Sequence, residues 1–165
     1  MCSANGALQA SLCAKHGLTS CFPGFSSAPS VPLQGSVRGY YLRDEPHASD
    51  FRGLAKTVES VHKTRPGALV FINLLGGYMA SPAAAKAWWG FATYEQYVDA
   101  FVSTVQPDIL SFDLYPQFGD CGWGVRGGDV NASADTRDRY LHNLAFINNR
   151  SLAAKLNYWN YFDVK

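Results

Sequence analysis

Two adjacent carboxylates, Asp44 and Glu45, stand immediately before Pro46, and carboxyl groups are well suited to moving protons. An ionised Asp44 opposes a second negative charge on Glu45 and raises its pKa, which suits a proton donor working near neutral pH. The same Asp-Glu-Pro step also matches a helix start, where the helix dipole favours carboxylates, so a structural role stands beside the chemical one. Asn73, Asp113 and Tyr115, with Asn160 and Asp163 further on, each fall at or near the end of a β-rich run. Converging on one rim, such groups would suit a polyol, which needs many directed hydrogen bonds. Taken on their own, Asn73 and Asp113 read as structural turn or capping groups. Trp88, Trp89, Trp123 and Trp159 are apolar platforms for a ring to stack on, or packing between helices and sheet.

These groups need elements to position them, and the chain supplies an alternation of β-rich runs with helical patterns, the signature of βαβ units and a parallel sheet. A helix is expected over Ala7 to His16, stopped by Gly17, followed by a strand from Leu18 to Phe22. Pro23 to Ser36 is rich in Pro, Gly and Ser and reads as a loop. Val37 to Arg43 is the next strand, ended by Asp44-Glu45-Pro46. Phe51, Leu54, Ala55, Val58 and Val61 then share one face of a helix capped by Ser49 or Asp50 and stopped at Arg65-Pro66-Gly67.

Ala68 to Leu75 is nearly continuous in apolar residues, as in a strand buried on both faces, and Gly76-Gly77 closes it. Met79 to Ala92 is a long connection or a short extra helix. Thr93 and Gln96 open a further helix whose apolar face is Tyr94, Tyr97, Val98, Phe101, Val102 and Val105. After Pro107 come a strand from Ile109 to Tyr115, a Gly-rich loop from Gln117 to about Ser133, a helix from Asp135 to Arg150 and a strand from Leu156 to Phe162.

With 165 residues, 47% hydrophobic and 16% charged, the chain can bury one substantial core, and a single domain over 1–165 is expected, with residues 1–36 an atypical N-terminal part. A net charge of +1 without basic runs argues against nucleic acid as a partner, and no stretch approaches a membrane span. Cys2, Cys13, Cys21 and Cys121 lack metal-type spacing and read as buried or free thiols, with a disulfide as the alternative; His47 and His62 have no spaced partner. No metal or other cofactor is expected.

Gly39-Tyr-Tyr-Leu-Arg-Asp-Glu-Pro46, Val70-Phe-Ile-Asn-Leu74 and Pro107-Asp-Ile-Leu-Ser-Phe-Asp-Leu-Tyr-Pro116 together resemble the barrel of clan A glycoside hydrolases, especially β-galactosidase-like bacterial members. The resemblance covers roughly Val37 to Val164. It implies a partial (β/α)8 TIM barrel of about five parallel strands, against about 250 residues for a complete one, so the chain is expected to be incomplete at both ends. It implies retaining hydrolysis of O-glycosidic bonds with Glu45 as general acid/base, and a carbohydrate substrate held by Asp44, Asn73, Asp113, Tyr115 and Trp159.

Asp44 stands where the clan usually has asparagine. The retaining reaction also needs a second carboxyl group about 5 Å from the first. Of the chain's three glutamates, Glu59 and Glu95 fall in expected helices, which leaves Asp113 or Asp163 in place of the clan's nucleophile. A non-catalytic carbohydrate- or partner-binding relic of the same fold is therefore the alternative. An open barrel would also expose sheet edges, through which self-association is expected.

Overall fold

The computed structural model describes residues 6–18, 22, 33, 35–77, 81–114 and 132–161. Most of the expected strand over Leu18 to Phe22, most of Pro23 to Ser36, the Gly-rich loop from Gln117, and Tyr115, Trp123 and Asp163 lie outside these residues.

The runs rich in β-branched and aromatic residues become four strands, β1 (Gly39–Asp44), β2 (Leu69–Leu75), β3 (Ile109–Asp113) and β4 (Asn157–Tyr161). They pair in parallel in the order β1-β2-β3-β4. Parallel neighbours require crossovers, and helices provide them. α2 (Phe51–Thr64) joins β1 to β2, α3 (Pro82–Trp89) and α4 (Tyr94–Val105) join β2 to β3, and α5 (Ala132–Ala154) joins β3 to β4. α1 (Gly6–Lys15) precedes the sheet and ends before Gly17, whose φ of 66° is the left-handed stop expected of it. The class is α/β, and across the described strands the sheet advances in one direction without the reversal of a doubly wound fold.

Strand alternation divides the sheet into two faces. Tyr40 and Leu42 of β1, Val70, Ile72 and Leu74 of β2, and Leu110 and Phe112 of β3 join Val58 and Val61 of α2, Val98, Phe101 and Val105 of α4 and Ile147 of α5 in one core. α4 and α5 are tied further by Tyr94 against Phe146 and by the Arg150 guanidinium on the Asp99 carboxylate at 2.7 Å. Phe71 and Ile109 are equally buried but lie outside this core, on the opposite face. At the amino ends of the strands, Asp108 accepts from the Val70 amide at 2.7 Å and meets His62 Nε2 at 2.9 Å, joining α2, β2 and the entry to β3.

Two expected boundaries are corrected, and α2 begins after Asp50 as expected but without the expected side-chain cap. α2 is preceded by a 3-10 turn, Ala48–Asp50, whose cap is His47: Nδ1 accepts from the Ser49 amide, and the Asp50 carboxylate accepts from the His47 amide at 3.0 Å. Asp50 therefore faces backwards and does not cap α2 with its side chain. β3 ends at Asp113, two residues early. α5 outruns the expected Asp135 to Arg150 at both ends, because Ser151-Leu-Ala-Ala154 contains no breaker and the helix stops only where Lys155 turns left-handed, φ 58°.

Candidate active site

The carboxyl ends of β1, β2 and β3 bring the predicted polar residues together, and an irregularity in β1 decides which of them meet. Tyr41 pairs with Phe71, but Arg43 then pairs with Ile72 and Asp44 with Asn73, so β1 carries one extra residue between Tyr41 and Arg43. A regular strand would place Arg43 opposite Asn73; the bulge places Asp44 there. Asn73 Nδ2 donates to Asp44 Oδ1 at 3.2 Å, and Ser111 Oγ donates to Asn73 Oδ1 at 3.0 Å. Asn73 and Ser111 are 5% and 0% exposed, so this polar row needs its internal partners, and both ends of the Asn73 amide are used within it.

Glu45 follows directly and adopts φ 44°, a left-handed conformation that costs a residue with a Cβ about 1–3 kcal/mol. Its amide donates to the Asn73 carbonyl at 2.8 Å, carrying the hydrogen-bond ladder one residue past the strand. Pro46 is buried and its carbonyl accepts from Tyr97 Oη at 2.7 Å. The Glu45 side chain as a whole is exposed, yet its carboxyl lies partly against protein. That loss of hydration, then the charge of Asp113, then that of Asp44, push its pKa from 4.5 up to about 7.

Asp113 pairs with Leu75, two residues beyond Asn73, at the end of β3. β1 and β3 flank β2, so their backbones stand about 9–10 Å apart, a gap that Glu and Asp side chains can narrow from either side. Glu45 thus shares this end of the sheet with two other carboxylates, Asp44 and Asp113, whose charges help to raise its pKa.

Below this rim the same face is aromatic. Tyr41 stacks on Phe71 at 4.7 Å between ring centroids, while Trp159 meets Phe71 at 5.3 Å and Phe22 at 5.2 Å, both edge to face. Trp159 pairs with Ser111, which puts it in line with Asp44 and Asn73, although its ring contacts lie toward Phe71 and Phe22. Phe22, from the segment before β1, covers part of this face.

Asp44, Glu45, Asn73 and Asp113 are therefore gathered at one end of the sheet, with Trp159 in the same row; Tyr115 lies outside the described residues. Trp89 is buried against Tyr94 and Tyr97 in the helical layer, whereas Trp88 is exposed on α3. Glu59 and Glu95 are exposed on α2 and α4. Among the described residues, no group of three or more His, Cys, Asp or Glu side chains is placed to hold a metal ion. No described helix is long and apolar enough to cross a membrane.

Sequence reasoning missed Ser111 and Tyr97. A lone hydroxyl inside the apolar run Ile109-Leu-Ser-Phe112 was an available signal for Ser111, but Tyr97 reads from its spacing as an ordinary core residue. Comparison of the chain with protein families, characterised proteins and solved structures finds no match.

Proposed function

We propose that the chain forms part of the wall of a (β/α)8 barrel of the clan A glycoside hydrolase type, with about five strands, and acts on O-glycosidic bonds. The observation that carries this reading is Glu45, held at the carboxyl end of a parallel strand beside Asp44 and Asp113 and able to keep a proton near neutral pH. Strands paired in sequence order, with helices on one face and an aromatic second face, support the barrel wall. In the reaction, Glu45 gives its proton to the leaving glycosidic oxygen as the Asp113 carboxylate bonds to the anomeric carbon and the glycosidic bond breaks, then takes a proton from the water that displaces Asp113 from that carbon. Asp113 is the available second carboxylate, Asp44 and Asn73 fix the edge of the sugar subsite, and Trp159 contributes to its wall.

The test is a Glu45→Gln variant assayed on aryl glycosides. Loss of turnover supports the assignment, and unchanged turnover removes Glu45 from the reaction.

One observation favours a second reading, in which the rim binds saccharide without cleaving it. Glu59 and Glu95 sit on exposed helix surfaces, so no second glutamate reaches the described rim. Heat of binding with galactosides but no hydrolysis would select this reading. Either reading leaves β1 and β4 as outer strands of the described sheet, through which the chain self-associates; sedimentation across a concentration series tests this, and a monomer throughout would oppose it.

A further inference from the structure

The left-handed turn at Glu45 is unfavourable in isolation, so other groups must hold it. On the sheet side, the Glu45 amide is anchored to the Asn73 carbonyl at 2.8 Å. On the helix side, Tyr97 Oη donates to the Pro46 carbonyl at 2.7 Å from a residue with no exposed surface. The ring has little freedom, lying 5.4 Å from Phe51, 6.1 Å from Trp89 and 6.0 Å from Tyr94 between centroids.

We infer that Tyr97 is a positioning residue: from α4 it clamps the Pro46 carbonyl and so fixes the Glu45 turn, keeping the Glu45 carboxyl on the rim with Asp44 and Asp113. Pro46 already restricts the conformation of the residue before it, and a buried carbonyl without a donor would be costly. The turn therefore has one comfortable arrangement while the phenol is present. Burial and the charges of Glu45, Asp113 and Asp50 hold the phenol's pKa far above its ordinary value, so Tyr97 remains a donor throughout the pH range in which Glu45 titrates. Among the described residues, Asp44 on β1, His47 in the cap and Arg43, which lies 3.8 Å from Asp50, are further charged or titratable groups beside the turn.

The inference rests on the proposed catalytic reading for what the positioned carboxyl does, but its test requires no turnover. With only three glutamates in the chain, protein carrying 13C at the glutamate side-chain carboxyl gives three carboxyl signals, and Glu45→Gln identifies one of them. The Glu45 signal is expected to titrate near pH 7. In Tyr97→Phe its midpoint falls by at least one pH unit toward 4.5 while Glu59 and Glu95 stay in place. Phe51→Leu, which loosens the same ring packing but keeps the phenol, leaves the Glu45 midpoint within a few tenths of a unit. An unmoved midpoint in folded Tyr97→Phe, or an equal fall in Phe51→Leu, overturns the inference. If Tyr97→Phe does not fold, the wild-type Tyr97 ring-carbon resonance decides: it shifts with Glu45's midpoint and loses that step in Glu45→Gln, whereas a resonance blind to Glu45 overturns the inference. Unchanged glycoside turnover in Glu45→Gln would sink the catalytic reading while leaving the clamp intact.

Discussion

Replacing Glu45 with glutamine keeps the side chain's shape and removes only its charge, so the structure sets both the sign and the pH window of the stability change. The folded-state pKa of about 7 lies above the ordinary value of 4.5, so between these pH values the folded chain holds a proton that the unfolded chain has released. Stability linked to Glu45 is therefore complete below about pH 4.5 and is lost as pH rises through about 7. Each pH unit of displacement corresponds to about 1.4 kcal/mol at full strength. Glu45 is an exposed residue with water on one side, and screening reduces the destabilisation at pH 8 to about 1–2 kcal/mol. Glu45→Gln should therefore be more stable than the parent by about that amount at pH 8 and nearly equal to it at pH 4. Urea unfolding of both proteins at the two pH values, followed by circular dichroism with slopes held common, measures the difference. A variant that is less stable at pH 8, or whose advantage does not change with pH, would refute the reasoning. With the proposed loss of turnover, the pair would show a charge retained for chemistry at a cost in stability.

Asp113→Asn should lower the Glu45 titration midpoint, and Asp44→Asn should lower it less, following the order of their influence on that carboxyl; carboxyl 13C titration reads both, and a larger effect from Asp44 would contradict the rim geometry. Asn73→Ala leaves the buried Ser111 hydroxyl and the Asp44 carboxylate without their shared partner and should destabilise the chain by about 2–3 kcal/mol in urea melts. Gly77→Ala should cost about 1–3 kcal/mol, because its Cβ would lie 2.5 Å from Asn143 Oδ1 and 2.6 Å from the Tyr94 ring, prising open the clamp in which Asn143 accepts from the Gly77 amide at 2.7 Å. A wild-type melting temperature in Gly77→Ala would show that α5 does not brace the loop after β2.

Much of this architecture could be read from local pattern, because local physics produced it. The apolar run after Ala68 is a strand covered on both faces, and a run of that kind has few other stable places to go. The stripe from Tyr94 to Val105 begins at Thr93, whose hydroxyl accepts from the Gln96 amide, and each signal lies within one helical turn of its effect. Asp44-Glu45-Pro46 was legible as a strand end bearing two carboxylates for the same reason. Asp50 holds the N-cap position of α2 as expected, but its carboxylate turns back to the His47 amide, because a 3-10 turn capped by that histidine precedes the helix.

What the chain could not disclose locally is which side chains meet. One extra residue in β1 moves Asp44, in place of Arg43, opposite Asn73, and nothing in Tyr41-Leu-Arg43 announces it, since a bulge is settled by the fit of both strands. Ser111 becomes the end of a buried polar row only when β3 is laid beside β2 in register. Tyr97 has the spacing of a core residue and behaves as one; only the docking of α4 under the β1 turn brings its hydroxyl to the Pro46 carbonyl, 51 positions away in sequence. Sequence alone fixed the kinds of element and the carboxylates they carry, because propensity and hydrophobic period act over a few residues. Tertiary structure decided the proton affinity of Glu45, because desolvation and the charge on Asp113 arise from groups that only the folded sheet brings near.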